Sequence, residues 1–188
     1  MVTGPMFAGK STELLRRLRR NEIAGKSCLY INYIEDRRFN NGDFIQTHDN
    51  LQKSAEKVRR LGDLGEKWKQ FDVIGIDEGQ FFKDVVAFAE KAATYGKVVI
   101  VAALVGTYQR NGFPDILELI PRAEKITFLH AICKLCKETA SFTLRIDGGV
   151  NLKSIEFEAI GSEETYMPVC RECHDFKTKE IAKNSMKR

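Results

Sequence analysis

Apolar residues fall in short blocks along the chain and alternate with stretches of good helix formers. Apolar positions on one face of residues 12–18 predict a helix directly after a glycine-rich segment. The runs Cys28–Ile31, Val73–Ile76 and Val98–Leu104 predict buried strands. A helix is predicted over Val85–Thr94, between the last two strands. Strands that alternate with helices and are apolar throughout are typical of a parallel sheet covered on both faces, so the pattern predicts an α/β fold.

Other parts of the chain give weaker signals. Residues 36–50 are polar and rich in Asp, Asn and Gly, which predicts a long loop, and helical propensity returns over Ala55–Lys69. Near residue 131 the pattern changes to short β segments and cysteine pairs. We therefore expect an α/β domain over 1–130, a small subdomain over 131–175 and a basic flexible tail over 176–188.

Composition and charge exclude several classes of protein. The chain has 188 residues, of which 43% are hydrophobic and 30% charged, as in one folded domain rather than a disordered chain. A net charge of +4 is small for a nucleic-acid-binding protein, so no nucleic-acid partner is expected. The longest apolar run, Val98–Val105, is far shorter than the roughly 20 residues that cross a bilayer, and no signal peptide is evident. We expect a cytoplasmic protein without a membrane partner.

Residues 4–11 match the phosphate-binding pattern G-x-x-x-x-G-K-[ST]. In that pattern backbone N–H groups face a triphosphate, Lys10 reaches its terminal oxygens, and Ser11 binds Mg²⁺. The alternative is an ordinary glycine turn. Only three residues precede Gly4, so the first strand is expected to be frayed or incomplete.

Asp77 and Glu78 directly follow the predicted strand Val73–Ile76. An acid at a strand end is what a P-loop protein uses to hold Mg²⁺, which fits Asp77. Glu78 then lies beside the terminal phosphate, where a carboxylate takes a proton from an attacking hydroxyl or water. The alternative is that both acids only cap the strand or solubilise its end.

Two C-x-x-C pairs, Cys133/Cys136 and Cys170/Cys173, supply four thiolates, which suit a closed structural Zn²⁺ site. Two disulfides or four idle thiols are the alternatives. His174 is surplus to a four-thiolate set, and Cys28 is expected to be a small buried residue.

Several aromatic side chains follow strand ends, where an α/β sheet builds its binding site. Core packing is the ordinary role for each of them. An apolar slot for a flat acceptor such as a nucleobase is the functional alternative. The residues are Phe81, Phe82, Tyr108, Phe113, Phe157 and Tyr166.

Taken in order along the chain, these motifs resemble the type II thymidine kinases, the cytosolic and poxvirus-like class. The resemblance rests on residues 4–14, on Asp-Glu-Gly-Gln-Phe-Phe at 77–82, on Gly-Thr-Tyr-Gln-Arg at 106–110 and on the cysteine pairs. It implies a RecA-like P-loop domain with a zinc-bearing lasso subdomain, assembled as a homotetramer. It also implies transfer of the γ-phosphoryl of ATP to the 5′-hydroxyl of thymidine or deoxyuridine with Mg²⁺. That reaction salvages pyrimidine nucleosides for DNA synthesis, and feedback by thymidine triphosphate is possible in this class.

The resemblance also implies roles for individual residues. Glu78 matches the general base, and Lys10 and Arg38 match groups that stabilise phosphate charge. The segments matching ATP and Mg²⁺ contacts are Gly4, Pro5, Met6, Phe7, Ala8, Gly9, Lys10 and Ser11; Asp36, Arg37 and Arg38; and Asp77, Glu78, Gly79 and Gln80. The implied thymidine pocket comprises Met6, Phe81, Leu104, Tyr108, Phe113, Phe157, Glu158, Ala159, Ile160, Gly161 and Tyr166. The implied zinc ligands are Cys133, Cys136, Cys170 and Cys173.

Two other functions share part of this pattern. Asp77-Glu78-Gly79-Gln80 also resembles the D-E-x-x box of nucleic-acid-stimulated ATPases, in which the Glu activates water. Those enzymes need two RecA-like domains, which 188 residues do not supply. The other alternative is a regulatory or scaffold protein that binds nucleotide without turning it over.

Overall fold

A computed structural model describes residues 1–35, 44–46, 52–146 and 165–185. Its α-helices are α1 Lys10–Ile23, α2 Val85–Thr94, α3 Pro114–Leu119 and α4 Arg171–Ser185. The strands are β1 Val2–Thr3, β2 Cys28–Tyr33, β3 Phe44–Gln46, β4 Gln52–Ser54, β5 Glu56–Val58, β6 Val73–Ile76, β7 Val98–Ala103, β8 Thr127–Phe128, β9 Ala131–Ile132, β10 Thr139–Ala140, β11 Phe142–Arg145 and β12 Tyr166–Val169. Short 3₁₀ helices cover Leu61–Leu64, Lys67–Gln70, Gly79–Phe81 and Ile120–Arg122.

The main sheet has six parallel strands in the order β5-β2-β6-β7-β1-β8. Helix α1 packs on one face, where Leu14 and Leu18 meet Val73 and Ala102. The other face is covered by α2, α3 and the 3₁₀ segments. The predicted α/β class is therefore confirmed, and the predicted helix at 85–94 matches α2.

Strand β1 is short but not frayed. Val2 and Thr3 pair with β7 on one side and β8 on the other, and both residues are buried. A strand with a neighbour on each side has its backbone groups paired in the sheet, so two residues suffice to anchor the segment that follows.

The helix predicted over Ala55–Lys69 is wrong. Residues 56–58 form β5, which pairs with β2, and two 3₁₀ turns follow. Gly62 and Gly65 interrupt helical propensity, and the Asp84 carboxylate accepts the N–H groups of Leu61 and Gly62 from outside the segment. Of the loop predicted over 36–50, the structure describes only residues 44–46, which pair as β3 with β4.

Cys28 is half-buried rather than fully buried. Its thiol lies 3.6 Å from the backbone oxygen of Leu18, and burial raises its pKa. It thus fits the predicted structural role of a small side chain at the start of β2.

The cysteine-rich subdomain has two antiparallel pairs, β9 with β10 and β11 with β12. Its small core contains Ala131, Cys133, Ala140, Leu144 and Val169. Helix α4 starts within it and continues to Ser185, so the segment expected to be a flexible tail is helical through that residue. The division into domains at 130 and 175 stays a prediction.

Candidate active site and metal centre

The functional segments follow the carboxyl ends of neighbouring parallel strands. The glycine-rich loop follows β1, Asp77 and Glu78 follow β6, and Leu104 follows β7. Because carboxyl ends of parallel strands share one edge of the sheet, these segments lie along the same edge, where open α/β sheets bind ligands.

The glycine-rich loop has the backbone that its sequence predicts. Gly4 has a φ of 151°, and a Cβ there would lie 2.3 Å from the backbone oxygen of Leu129. Gly9 adopts the left-handed conformation at the N-cap of α1, with a φ of 77°. The ammonium group of Lys10 donates to the backbone oxygen of Pro5 at 2.8 Å, which links the two ends of the loop. Helix α1 therefore begins directly at the lysine of the motif and directs its N-terminus toward the loop, as anion binding requires.

Asp77 and Glu78 are both buried, with exposed fractions of 3% and 6%. Glu78 has a φ of 53°, a left-handed conformation that is uncommon outside glycine and directs the chain sharply away from β6. The side-chain amide of Gln80 donates to Oε2 of Glu78 at 2.5 Å. The oxygen of that amide accepts the backbone N–H of Leu104 at 3.0 Å. Gln80 therefore holds the Glu78 carboxylate against the end of β7.

The predicted apolar pocket residues fall into two groups. Phe113 belongs to the core on one face of the sheet, and the partly buried Phe81 and Leu104 pack against that core. The ring of Phe81 lies 5.2 Å from that of Tyr33. Tyr108 instead faces Tyr166 across 6.2 Å. Phe82 is fully buried and has the ordinary core role. Residues Asp36, Arg37, Arg38 and Phe157, Glu158, Ala159, Ile160 and Gly161 lie outside the described residues.

The four cysteines of the two C-x-x-C pairs come together. Their sulfur atoms all lie within 4.8 Å of one another, and Cys136 Sγ is 3.5 Å from Cys170 Sγ. All four are free thiols, so the structure contains neither of the alternative disulfides. Sulfurs arranged tetrahedrally about 2.3 Å from zinc are separated by roughly 3.8 Å. The donor set and its spacing fit a structural zinc ion.

The protonation chemistry of the cluster also favours a cation. Burial opposes ionisation of Cys133, but nearby backbone N–H groups outweigh it and lower the pKa of that thiol to about 6. Burial and the neighbouring thiols raise the pKa of Cys173 to about 12. One thiolate thus forms readily while further negative charge accumulates only at high cost. A divalent metal ion offsets the repulsion between the thiolates by binding them directly.

The cysteine-rich subdomain contacts the glycine-rich loop. The backbone N–H of Met6 donates to the hydroxyl of Thr143 at 3.1 Å, and Ala8 packs on the subdomain core. Thr143 lies on β11 and is buried. No motif marked this threonine, because its partner lies 137 residues away along the chain.

The subdomain also contacts the segment that carries Tyr108. Nε2 of His174 lies 3.2 Å from the backbone oxygen of Tyr108, and Arg110 pairs with Asp175 at 3.1 Å. The guanidinium of Arg145 lies 5.6 Å from the centre of the Tyr108 ring. His174 lies outside the set of four thiolates, and no motif in the sequence indicates its contact with Tyr108.

Comparisons with known proteins agree with this geometry. The family model described as thymidine kinase matches residues 1–174. The chain belongs to the thymidine kinase family. It is therefore a kinase, and the resemblance drawn from its motifs is confirmed.

Individual relatives match over nearly the whole chain. A thymidine kinase of Sheeppox virus (strain KS-1) is 48% identical over 93% of this chain and 94% of its own length. The thymidine kinase of Myxoma virus (strain Uriarra) is 48% identical over 94% of this chain and 95% of its own length. Thymidine kinase 1 of Dictyostelium discoideum is 45% identical over 93% of this chain and 76% of its own length. Across the parts that the structure describes, no helix of this family member has the length and apolarity to cross a bilayer.

Proposed function

We propose that this kinase transfers the γ-phosphoryl of ATP to the 5′-hydroxyl of thymidine, and also of deoxyuridine, giving the 5′-monophosphate. The family and the names of its relatives support thymidine as the acceptor. The observation that carries the reaction type is a buried carboxylate, Glu78, held by Gln80 at the sheet edge that also bears the phosphate-binding loop.

In this reaction Glu78 is the general base. It accepts the proton of the 5′-hydroxyl as that oxygen attacks the γ-phosphorus and the bond to the ADP oxygen breaks. Burial keeps the Glu78 carboxylate largely out of water, and the amide of Gln80 holds one of its oxygens in place.

The phosphates lie on the loop formed by residues 4–11. Its backbone N–H groups and the N-terminus of α1 bind phosphate oxygens, while Lys10 moves from Pro5 to the β and γ oxygens. Arg38, with Asp36 and Arg37 nearby in sequence, stabilises charge on the transferring group. Ser11 and Asp77 supply the oxygen ligands that Mg²⁺ prefers. When bound, Mg²⁺ neutralises charge that develops on the β and γ oxygens.

The nucleoside occupies an apolar slot at the same edge. Met6, Phe81, Leu104, Tyr108 and Phe113 supply its walls from the P-loop domain. The lasso residues Tyr166 and Phe157, Glu158, Ala159, Ile160 and Gly161 close it. Structural zinc on Cys133, Cys136, Cys170 and Cys173 holds the ends of that lasso together. We further propose a cytoplasmic homotetramer that acts in pyrimidine salvage and is open to feedback by thymidine triphosphate.

The test is a phosphoryl-transfer assay with Mg²⁺-ATP and thymidine, deoxycytidine, deoxyadenosine, single-stranded DNA or no acceptor. Thymidine 5′-monophosphate formed only with thymidine supports the proposal. ATP hydrolysis stimulated by DNA, with no phosphorylated nucleoside, overturns it. Glu78→Gln keeps the size and most hydrogen bonds of the side chain, so it should abolish turnover while ATP binding persists. Turnover that survives in Glu78→Gln rules out Glu78 as the base.

A further inference from the structure

His174 connects the cysteine cluster to the segment that carries Tyr108. It lies in the first turn of α4, directly after Cys173, and only 4% of its surface is exposed. Its Nε2 lies 3.2 Å from the backbone oxygen of Tyr108. A carbonyl oxygen only accepts, so Nε2 carries the proton and donates. The imidazole is not part of the metal-binding cluster found among the described residues.

The segment that His174 contacts is a closed loop. Gly106 pairs with Gly112, the Thr107 N–H donates to the Asn111 oxygen at 2.8 Å, and the Arg110 N–H donates to the Thr107 oxygen at 2.9 Å. The Phe113 N–H donates to the Val105 oxygen at 3.1 Å, which closes the base of the loop. These internal bonds tie the two ends of the loop together, so a contact at Tyr108 constrains the neighbouring residues of the loop as well.

Other contacts between α4 and this loop are more exposed. Arg110 and Asp175 form an ion pair with side chains 41% and 44% exposed, and such pairs contribute little in water. The guanidinium groups of Arg110 and Arg171 lie over the Phe142 ring at 5.7 and 4.9 Å. The imidazole of His174 also lies 5.9 Å from that ring. Among these contacts, the His174 hydrogen bond is the directional one, and it comes from a buried side chain.

We propose that His174 is a positioning residue that couples the metal site to the nucleoside pocket. Cys173 anchors the start of α4 when the metal is bound, and the next residue fixes the main chain at Tyr108. The ring of Tyr108 is thereby held opposite Tyr166, in the apolar slot where we place the nucleoside. The part of this inference that concerns the nucleoside rests on the proposed function, whereas the coupling of metal to loop does not.

Hydrogen exchange of the metal-loaded protein tests the coupling without substrate. His174→Phe keeps an aromatic ring but removes the donor, so amide exchange in 106–113 should rise about five-fold, the effect of losing one hydrogen bond. His174→Gln places an amide nitrogen near the position of Nε2 and should restore protection, whereas His174→Asn should not. Wild-type protein stripped of metal by a chelator should show the same loss of protection. Lys177→Ala is the matched control, because Lys177 pairs only locally with Glu180 on the same helix.

Steady-state kinetics then distinguish a displaced Tyr108 loop from a general loss of folding in the variant. In His174→Phe, KM for thymidine should rise about five-fold while KM for ATP stays within about two-fold. Unchanged exchange at 106–113 in both His174→Phe and His174→Asn overturns the proposal, and so does a failure of His174→Gln to restore protection at full zinc content. If His174→Phe does not fold or loses zinc, His174→Gln and His174→Asn are compared at equal zinc content. Their amide exchange at 106–113 then decides whether the hydrogen bond protects the loop. A wild-type protein that does not phosphorylate thymidine contradicts the proposed function, while the exchange result still decides the coupling.

Discussion

Gln80 and Glu78 form a side-chain hydrogen bond of 2.5 Å, in which the amide donates to the carboxylate. The other end of the amide accepts the Leu104 N–H at 3.0 Å, so a glutamine joins the end of β6 to the end of β7. The bond fixes one oxygen of the Glu78 carboxylate. Gln80 therefore orients the proposed base although it need not touch the substrate.

Replacing Gln80 by Met should keep the volume but remove both hydrogen bonds. A hydrogen bond to a charged group contributes about 1.5–3 kcal/mol, so we expect kcat to fall about 10- to 100-fold with little change in KM for ATP. Gln70→Met, at the exposed glutamine that ends the second 3₁₀ helix, is the control and should behave as wild type. An unchanged kcat in Gln80→Met would show that the carboxylate needs no orienting partner.

Thr143 gives a second prediction, which concerns the glycine-rich loop. Thr143→Val should leave the half-buried N–H of Met6 without its acceptor and reduce kcat/KM about 5- to 30-fold. Thr143→Ser keeps the hydroxyl and should restore most of the activity. Zinc content should be equal in the two variants, which shows that the loss arises at the loop. Equal values of kcat/KM for Thr143→Val and Thr143→Ser would contradict a role for this hydrogen bond.

Glu13 gives a prediction for pH. Its hydrogen bond with Arg16 and, after the opposing effect of burial, that with Arg17 lower its pKa from 4.5 to about 2. A lowered pKa means that the carboxylate stabilises the fold above about pH 4.5 and that this stabilisation is lost as pH falls toward 2. The free energy of unfolding of wild type should exceed that of Glu13→Gln at pH 7, and the difference should shrink toward zero near pH 2.

Urea unfolding at pH 7, 4 and 3 measures that difference. Arg19→Gln, an exposed change on the same helix that does not titrate in this range, serves as the control and should run parallel to wild type. A gap between wild type and Glu13→Gln that stays constant across this range would contradict the assignment.

Removing the metal should destabilise the cysteine-rich subdomain before the main sheet. The subdomain core is small, and three of the cysteines, Cys133, Cys170 and Cys173, belong to it or pack against it. Chelation should therefore release about one zinc per chain and increase proteolysis after residue 130, while β6 and β7 remain protected. Cys136→Ser should reproduce this in the presence of zinc. A chelated protein with unchanged proteolysis would contradict a structural role for the metal.

The parts of the fold that follow local rules could be predicted from the chain. Residues 85–94 form the predicted helix because its apolar positions and its boundaries are both local signals. The helix predicted over 55–69 is wrong because two long-range contacts override its helical propensity. These are the pairing of β5 with β2 and the hydrogen bond from the Gly62 N–H to the Asp84 carboxylate.

The candidate site likewise has residues that sequence motifs indicate and residues that they do not. The glycine-rich loop, the acids after β6 and the four cysteines carry their chemistry in their spacing, and the structure brings the cysteines together as expected. The roles of Thr143 and His174 are not visible in any sequence motif, because each side chain bonds a backbone group more than 60 residues away. Periodicity and motifs do not report pairings of that kind.

The short first strand has a consequence for how the protein matures. Val2 lies between Ala102 and Thr127, so the strand beneath the glycine-rich loop acquires its second neighbour only after residue 127 has been made. Contacts so distant in sequence form late, because a long loop must close before they stabilise anything. A nascent chain emerging from the ribosome therefore has the loop sequence long before the strand beneath that loop is paired on both sides. Folding of the glycine-rich loop depends on β8, which is made more than 100 residues after the loop itself.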